Sequence, residues 1–187
     1  MRSGEALPPE IMARLHRSMK RLAVASEQIA EIDAARVAEV EQKPGESRPE
    51  RGIGMIRLLA GICGLGLETA TRLVREVLSR KFRDRRAIAA FVGLTGTPFQ
   101  SGGMEREQGI SKNGNPRVRC LLLQLTWRWL RFQPGSALSR WFFARVGDGK
   151  GRIRKIMAVA LARKLLVALW RYVETGVIPE GARLAGA

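Results

Sequence analysis

The stretch from Ile153 to Thr175 is apolar nearly all round, broken by Arg154, Lys155, Arg163, Lys164, Arg171 and Glu174. A helix of that character has no broad solvent face, so it must run through the core of whatever forms around it. Its charges rule it out as a membrane span. Partners for it stand just upstream. Val118, Leu121, Leu122, Leu125, Trp129 and Phe132 recur at helical spacing and predict an amphipathic helix. Ser136 is placed to cap a shorter helix that carries Trp141 and Phe142 and ends at Gly147. Asp84 is placed to cap another, with Ile88, Phe91 and Val92 on one side and a stop at Gly93.

The first third of the chain continues the helical pattern. After Pro8-Pro9, the residues Ile11, Leu15, Ser18, Leu22, Ala25, Ile29 and Ile32 alternate steps of four and three, a heptad seam interrupted by one serine. Lys43-Pro44-Gly45 then reads as a break. Met55, Ile56, Leu58 and Leu59 predict a short helix, followed by Gly61-Ile62-Cys63-Gly64-Leu65-Gly66 and a second helix with Leu67, Ala70, Val74, Val77 and Leu78 on one face. No segment shows a convincing strand. The expected fold class is all-α, with an N-terminal coiled-coil-like helix followed by a helical domain containing a helix–hairpin–helix. The expected boundaries are an arm over 1–43, a linker over 44–52, a domain over 53–180 and a fraying tail over 181–187. Within the domain, the helix–hairpin–helix covers about 55–79, a glycine-rich loop about 95–116 and the core helices about 117–175, in keeping with usual element lengths.

Charge narrows the partner. The net charge is +16, and it is uneven: residues 1–50 carry eight Lys/Arg and nine Asp/Glu, residues 51–187 carry 25 and eight. A basic domain of this kind meets a polyanion, a nucleic acid or an anionic surface. Arg outnumbers Lys by 26 to 7, which suits bidentate phosphate contact and equally fits a GC-rich genome. Cys63 and Cys120 lack metal-ligand spacing, and neither suggests a disulfide framework. With no signal segment visible, the expectation is a cytoplasmic protein without membrane contact.

Three features could carry chemistry. Gly64-Leu65-Gly66 permits a tight turn ahead of a helix N-terminus, where backbone N–H groups attract phosphate; the same residues also make a plain turn between two helices. Ser101 stands in Gln100-Ser101-Gly102-Gly103, with Arg106, Lys112, Asn113, Gly114, Arg117 and Arg119 following. The one histidine is His16, on the arm, so no Ser–His–Asp triad is available to the basic part. A serine among cations fits phosphoryl transfer, the cations balancing charge that builds on the phosphate. It also fits a hydroxyl that merely stabilises a glycine-rich turn. Lys164, among Met157, Ala160 and Leu161, either extends out to solvent or reaches a phosphate. Acidic residues are too scarce and scattered in 51–187 for two-metal chemistry, so no metal site is expected there.

In this order, the blocks resemble the C-terminal part of the IS-one-ten family of insertion-sequence transposases, also called the DEDD transposases. The similar residues run from Ile56 to Pro179 and include Phe91-Val92-Gly93-Leu94-Thr95, Thr97-Pro98-Phe99-Gln100-Ser101-Gly102-Gly103, Gln108-Gly109-Ile110-Ser111-Lys112-Asn113-Gly114-Asn115 through Arg119, and Ala158 to Leu165. The resemblance implies that Ser101 is the nucleophile, forming a phosphoserine link to DNA during strand exchange, with Lys112, Gly114 and Arg119 in the surrounding site. It also implies an N-terminal RuvC-like half whose acidic residues bind divalent metal, a coiled coil joining the halves, oligomers, and a structured bridge RNA that pairs with DNA. Residues 1–50 supply no acidic cluster of that kind. The expectation is a truncated or split transposase, with no cofactor on this chain and metal only in the missing half. A non-catalytic helix–hairpin–helix DNA-binding protein is the alternative.

Overall fold

The computed structural model describes residues 8–41, 48–101, 104–111 and 113–185; at 48–50, 97–101 and 104–108 the description is of the backbone alone. The chain divides into two units, one carrying the first helix and the other everything from the second helix on.

The first unit is the helix α1, Pro9–Glu41, with Glu10 in its first turn. None of its residues is buried. The expected seam is real as a stripe and bare as a surface: Ile11, Leu15, Leu22, Ile29 and Ile32 are all exposed.

The second unit is all-α with one small sheet, in the order α2 (Arg48–Ala60), α3 (Leu67–Leu73), a π-helical turn (Val74–Leu78), α4 (Arg85–Val92), β1 (Gly96–Ser101), β2 (Met104–Ile110), α5 (Pro116–Phe132), α6 (Ala137–Val146) and α7 (Arg152–Thr175). α7 is the core helix that its sequence demands. It packs against α5, α6, α4 and α2, with Leu161, Ala162, Leu165, Leu166 and Leu169 fully buried. Facing it, α5 buries Val118, Leu122, Leu125 and Trp129. The Trp129 indole N–H donates to Ser136 Oγ at 2.8 Å, so the cap of α6 also satisfies the largest buried side chain.

Three expectations are corrected. α2 starts at Arg48, inside the stretch 44–52 read as linker. Pro49 falls in its first turn, where backbone N–H groups have no helical partner to lose, so proline begins a helix there instead of breaking one. The stretch 94–116 is not only loop: β1 and β2 pair antiparallel from Gly96↔Ile110 to Ser101↔Met104. Its strands carry glycine, proline and charge in no regular alternation, so the period of two that would betray a strand is absent from the sequence. The tail beyond Gly176 does not fray within the described residues. Cys63 N donates to Arg183 O, Ala185 N to Gly61 O and Ala137 N to Glu180 O, and Ile62 bridges to Leu184.

Candidate active site

The serine-bearing hairpin grows out of a platform made by the end of α4 and the start of α5. Asp84 caps α4, accepting from Arg86 N and Ala87 N at 2.8 Å each. The Ala87 hydrogen bond is the largest cause holding the Asp84 carboxyl below its usual pKa; desolvation opposes it, and the Arg86 hydrogen bond and nearby Arg83 add to the lowering. At the other end Gly93 adopts φ 73°, the left-handed conformation that lets the chain leave a helix sharply. Thr95 O then accepts from Ser111 N at 2.8 Å, closing the base of the hairpin.

One irregularity shapes β2. Gly96 pairs with Ile110 while Thr97 pairs with Gln108, which leaves Gly109 as an extra residue. Its φ is +29°, positive as in a glycine bulge, where a side chain would be strained. Such a bulge bends and twists the hairpin near its base.

Downstream, the block after the hairpin is pressed onto α4. A Cβ on Gly114 would lie 2.5 Å from Phe91 O and 2.7 Å from Gly93 N, so only glycine permits this approach. Asn115 caps α5, accepting from Arg117 N and Val118 N, and its amide donates to Glu76 Oε2. Arg119 reaches back and donates to Val92 O at 3.2 Å.

The site residues expected from sequence therefore separate into groups. Ser101 is the last residue of β1, opposite Met104. Five strand steps from Gly96 place it roughly 17 Å out from the platform along the hairpin. Arg106 pairs with Phe99, two positions back from that end. Gly102, Gly103 and Lys112 lie outside the described residues. Asn113 and Arg117 are exposed at the base. Gly114 and Arg119 contact α4 there. Ser101 thus stands at the far end of the hairpin strand, while Arg117 and Arg119 follow its base in the first turn of α5.

The Gly64-Leu65-Gly66 turn sits elsewhere and is largely closed by the fold. Leu65 is buried, and its N–H donates to Ile62 O. Gly64 has φ 90°, and a Cβ there would lie 2.8 Å from Phe132 Cβ. Gln133 donates to Cys63 O and to Arg183 O at 2.7 and 2.8 Å. Gly66 stands at the N-cap of α3 without a side chain to cap it. Lys164 is exposed on α7, its ammonium 4.7 Å from the centre of the Trp141 ring, which is the extended, solvent-reaching arrangement. Sequence reasoning missed Glu76 and Gln133. No local pattern pointed to either residue.

The profile of the Transposase IS116/IS110/IS902 family matches residues 56–140, from the last turn of α2 through the first turn of α6. The chain belongs to this transposase family. It is 44% identical over 182 residues to y4rJ of Sinorhizobium fredii, which carries a transposase name; the match takes in 96% of this chain and 46% of that protein. A family 20 transposase name belongs to a Pseudomonas aeruginosa protein that is 32% identical over 139 residues, or 73% of this chain and 40% of that one. The transposase for insertion sequence element IS1328 of Yersinia enterocolitica is 28% identical over 176 residues, 92% of this chain and 48% of its own length. The chain therefore spans about half the length of these relatives. No helix among the described residues is long and apolar enough to cross a membrane.

Proposed function

We propose that this chain is the strand-joining part of an insertion-sequence transposase and that its substrate is DNA. In this reading Ser101 Oγ attacks a phosphodiester phosphorus. The Oγ–P bond forms as a P–O bond to one deoxyribose breaks, the serine proton leaves, and the departing hydroxyl takes up a proton. A second strand's hydroxyl then reverses the step and releases the serine. The observation that carries the reading is the place of Ser101 at the end of β1 in a chain whose family transposes DNA. A nucleophile held out on a strand end meets a duplex without pressing the helical core against it. Arg106 on the hairpin is the cation nearest in sequence that follows it, suited to balance charge on the phosphorane. Asn113 and Arg117, exposed at the base, are suited to hold flanking phosphate, as are Gly66 and Lys164 farther off.

The exposed heptad seam of α1 supports a homo-oligomer formed through that helix. Divalent metal belongs, in this reading, to the RuvC-like half. Among the described residues no group of three His, Cys, Asp or Glu stands together to hold one. A structured guide RNA is proposed to bind the assembled protein.

The test is covalent trapping. The chain is co-expressed with a RuvC-like half and incubated with end-labelled element DNA, and adducts are resolved on a denaturing gel. The wild type is expected to give a labelled adduct and Ser101→Ala none. An adduct of wild-type yield from Ser101→Ala overturns the nucleophile. DNA binding with no adduct from the wild type favours a non-catalytic DNA-binding protein.

A further inference from the structure

A second surface, away from the hairpin, combines bare aromatic rings with unpaired cations. Trp127 on α5 and Phe143 on α6 are 41% and 51% exposed. Both make steep, T-shaped contacts with the same buried ring, Phe142, at 6.2 and 5.5 Å between centroids. The Arg154 guanidinium, from the first turn of α7, lies 5.4 Å over the Trp127 ring. Lys150, Arg152 and Lys155 are exposed beside it in sequence. None of these four cations makes an ion pair among the described residues. Asp148 is the one carboxylate in sequence between Gln108 and Val173.

Large aromatic side chains left half in water are expensive for a folded domain, and a partner has to cover them. A second copy of this face is a poor partner, because cations would meet cations. A plain acidic protein would satisfy the charge and leave the rings unexplained. Unpaired nucleotides satisfy both: their bases stack on aromatic and guanidinium planes while their phosphates meet Lys and Arg. A duplex keeps its bases stacked on one another and offers no such planes.

We propose that Trp127, Phe143 and Arg154 form a docking surface for an unpaired strand of DNA, with Lys150, Arg152 and Lys155 holding its phosphates. The choice of DNA over RNA rests on the transposase reading, in which strand exchange exposes unpaired DNA. The surface itself does not depend on Ser101. The assay therefore uses the Ser101→Ala chain, so that failure of the serine chemistry leaves it untouched.

Fluorescence anisotropy is measured with a labelled thymidine 20-mer, an abasic strand of equal length, a duplex, a uridine 20-mer and phosphatidylserine vesicles. The thymidine strand is expected to bind roughly tenfold or more tightly than the abasic one, the margin that base stacking supplies. Trp127→Ala removes that margin and Trp127→Phe keeps most of it. Arg154→Gln lowers the salt slope by about 0.7. If Trp127→Ala does not fold, Phe143→Ala, at a more exposed position, carries the test with the same expected loss. Equal binding of abasic and thymidine strands overturns the proposal, as does tighter binding of the duplex or binding to vesicles alone. Preference for the uridine strand overturns the choice of DNA.

Discussion

The Asn115 side chain works at both ends: its amide donates to the Glu76 carboxylate while its carbonyl oxygen accepts from Arg117 N and Val118 N. One residue thus ties the π-helical turn after α3 to the N-terminus of α5. π-Turns mark places where a helix is bent to aim a side chain, and here the side chain aimed is Glu76. Asn115→Ala removes the cap and strands the Glu76 carboxylate, and should cost about 2 kcal/mol in urea unfolding. Asn115→Asp keeps an acceptor for the cap but sets two carboxylates together, which raises the pKa of one of them. A raised carboxyl pKa destabilises above that pKa, so Asn115→Asp should regain ground on the wild type as the pH falls from 7 towards 5. Equal losses for the two variants at every pH would remove Glu76 from this account.

Gly114 is the other joint of the platform. A methyl group there would meet backbone, Phe91 O and Gly93 N, which has no flexible end to move aside. Gly114→Ala should therefore destabilise by about 1–3 kcal/mol, the range of overpacking, and should disturb the base of the hairpin. Gly54 is the control. It lies in α2, and nothing stands within 4 Å of the place a Cβ would take, so Gly54→Ala should stabilise by up to about 1 kcal/mol. Opposite signs in parallel urea melts are the expected result.

What the sequence reveals follows from how local each cause is. α4 and α6 are legible because each carries its own apolar residues and end signals, Asp84 and Gly93 for the one and Ser136 and Gly147 for the other, all next to the ends they set; α5 and α7 are legible from their apolar patterns alone. The hairpin is not legible from periodicity, because its sequence mixes glycine, proline and charge without an apolar alternation. The one signal was Gly102-Gly103 between two short runs, a spacing that suits a two-residue turn. Glu76 and Gln133 were invisible for a different reason. Their partners lie 39 and 70 residues away, and no local pattern records a contact made only after the helices pack. The place of Ser101 at the end of a strand was likewise not legible, because the strand itself left no pattern.

Gln133 shows how much such a residue carries. Fully buried, it donates to Cys63 O and Arg183 O and accepts from Arg183 N, so it holds the Gly61–Gly66 turn and the C-terminal tail together. Gln133→Ala takes the side-chain partner from Cys63 O and Arg183 N, while Arg183 O keeps the Cys63 N–H, and should cost about 2 kcal/mol or more. The tail should loosen first. Trypsin is expected to cleave after Arg183 much faster in the variant under native conditions, well before the core helices are cut. Simultaneous loss of tail and core would show instead that Gln133 holds the whole domain.

Asp84 makes the start of α4 sensitive to acid. Its carboxyl is held below the ordinary range chiefly by the Ala87 N–H, with help from Arg86 N–H and Arg83. A folded-state pKa lower than the unfolded one contributes stability at pH values above the unfolded pKa, and that stability is lost as the pH falls through the folded pKa. Asp84 therefore stabilises the start of α4 at neutral pH and ceases to do so in acid, below about pH 4. Asp84→Asn keeps a side-chain acceptor for the cap and has no charge to lose. It should be close to the wild type in the cap it makes, yet its urea midpoint should fall less steeply between pH 5 and pH 3. Identical acid slopes for the two proteins would assign the acid sensitivity to other carboxylates.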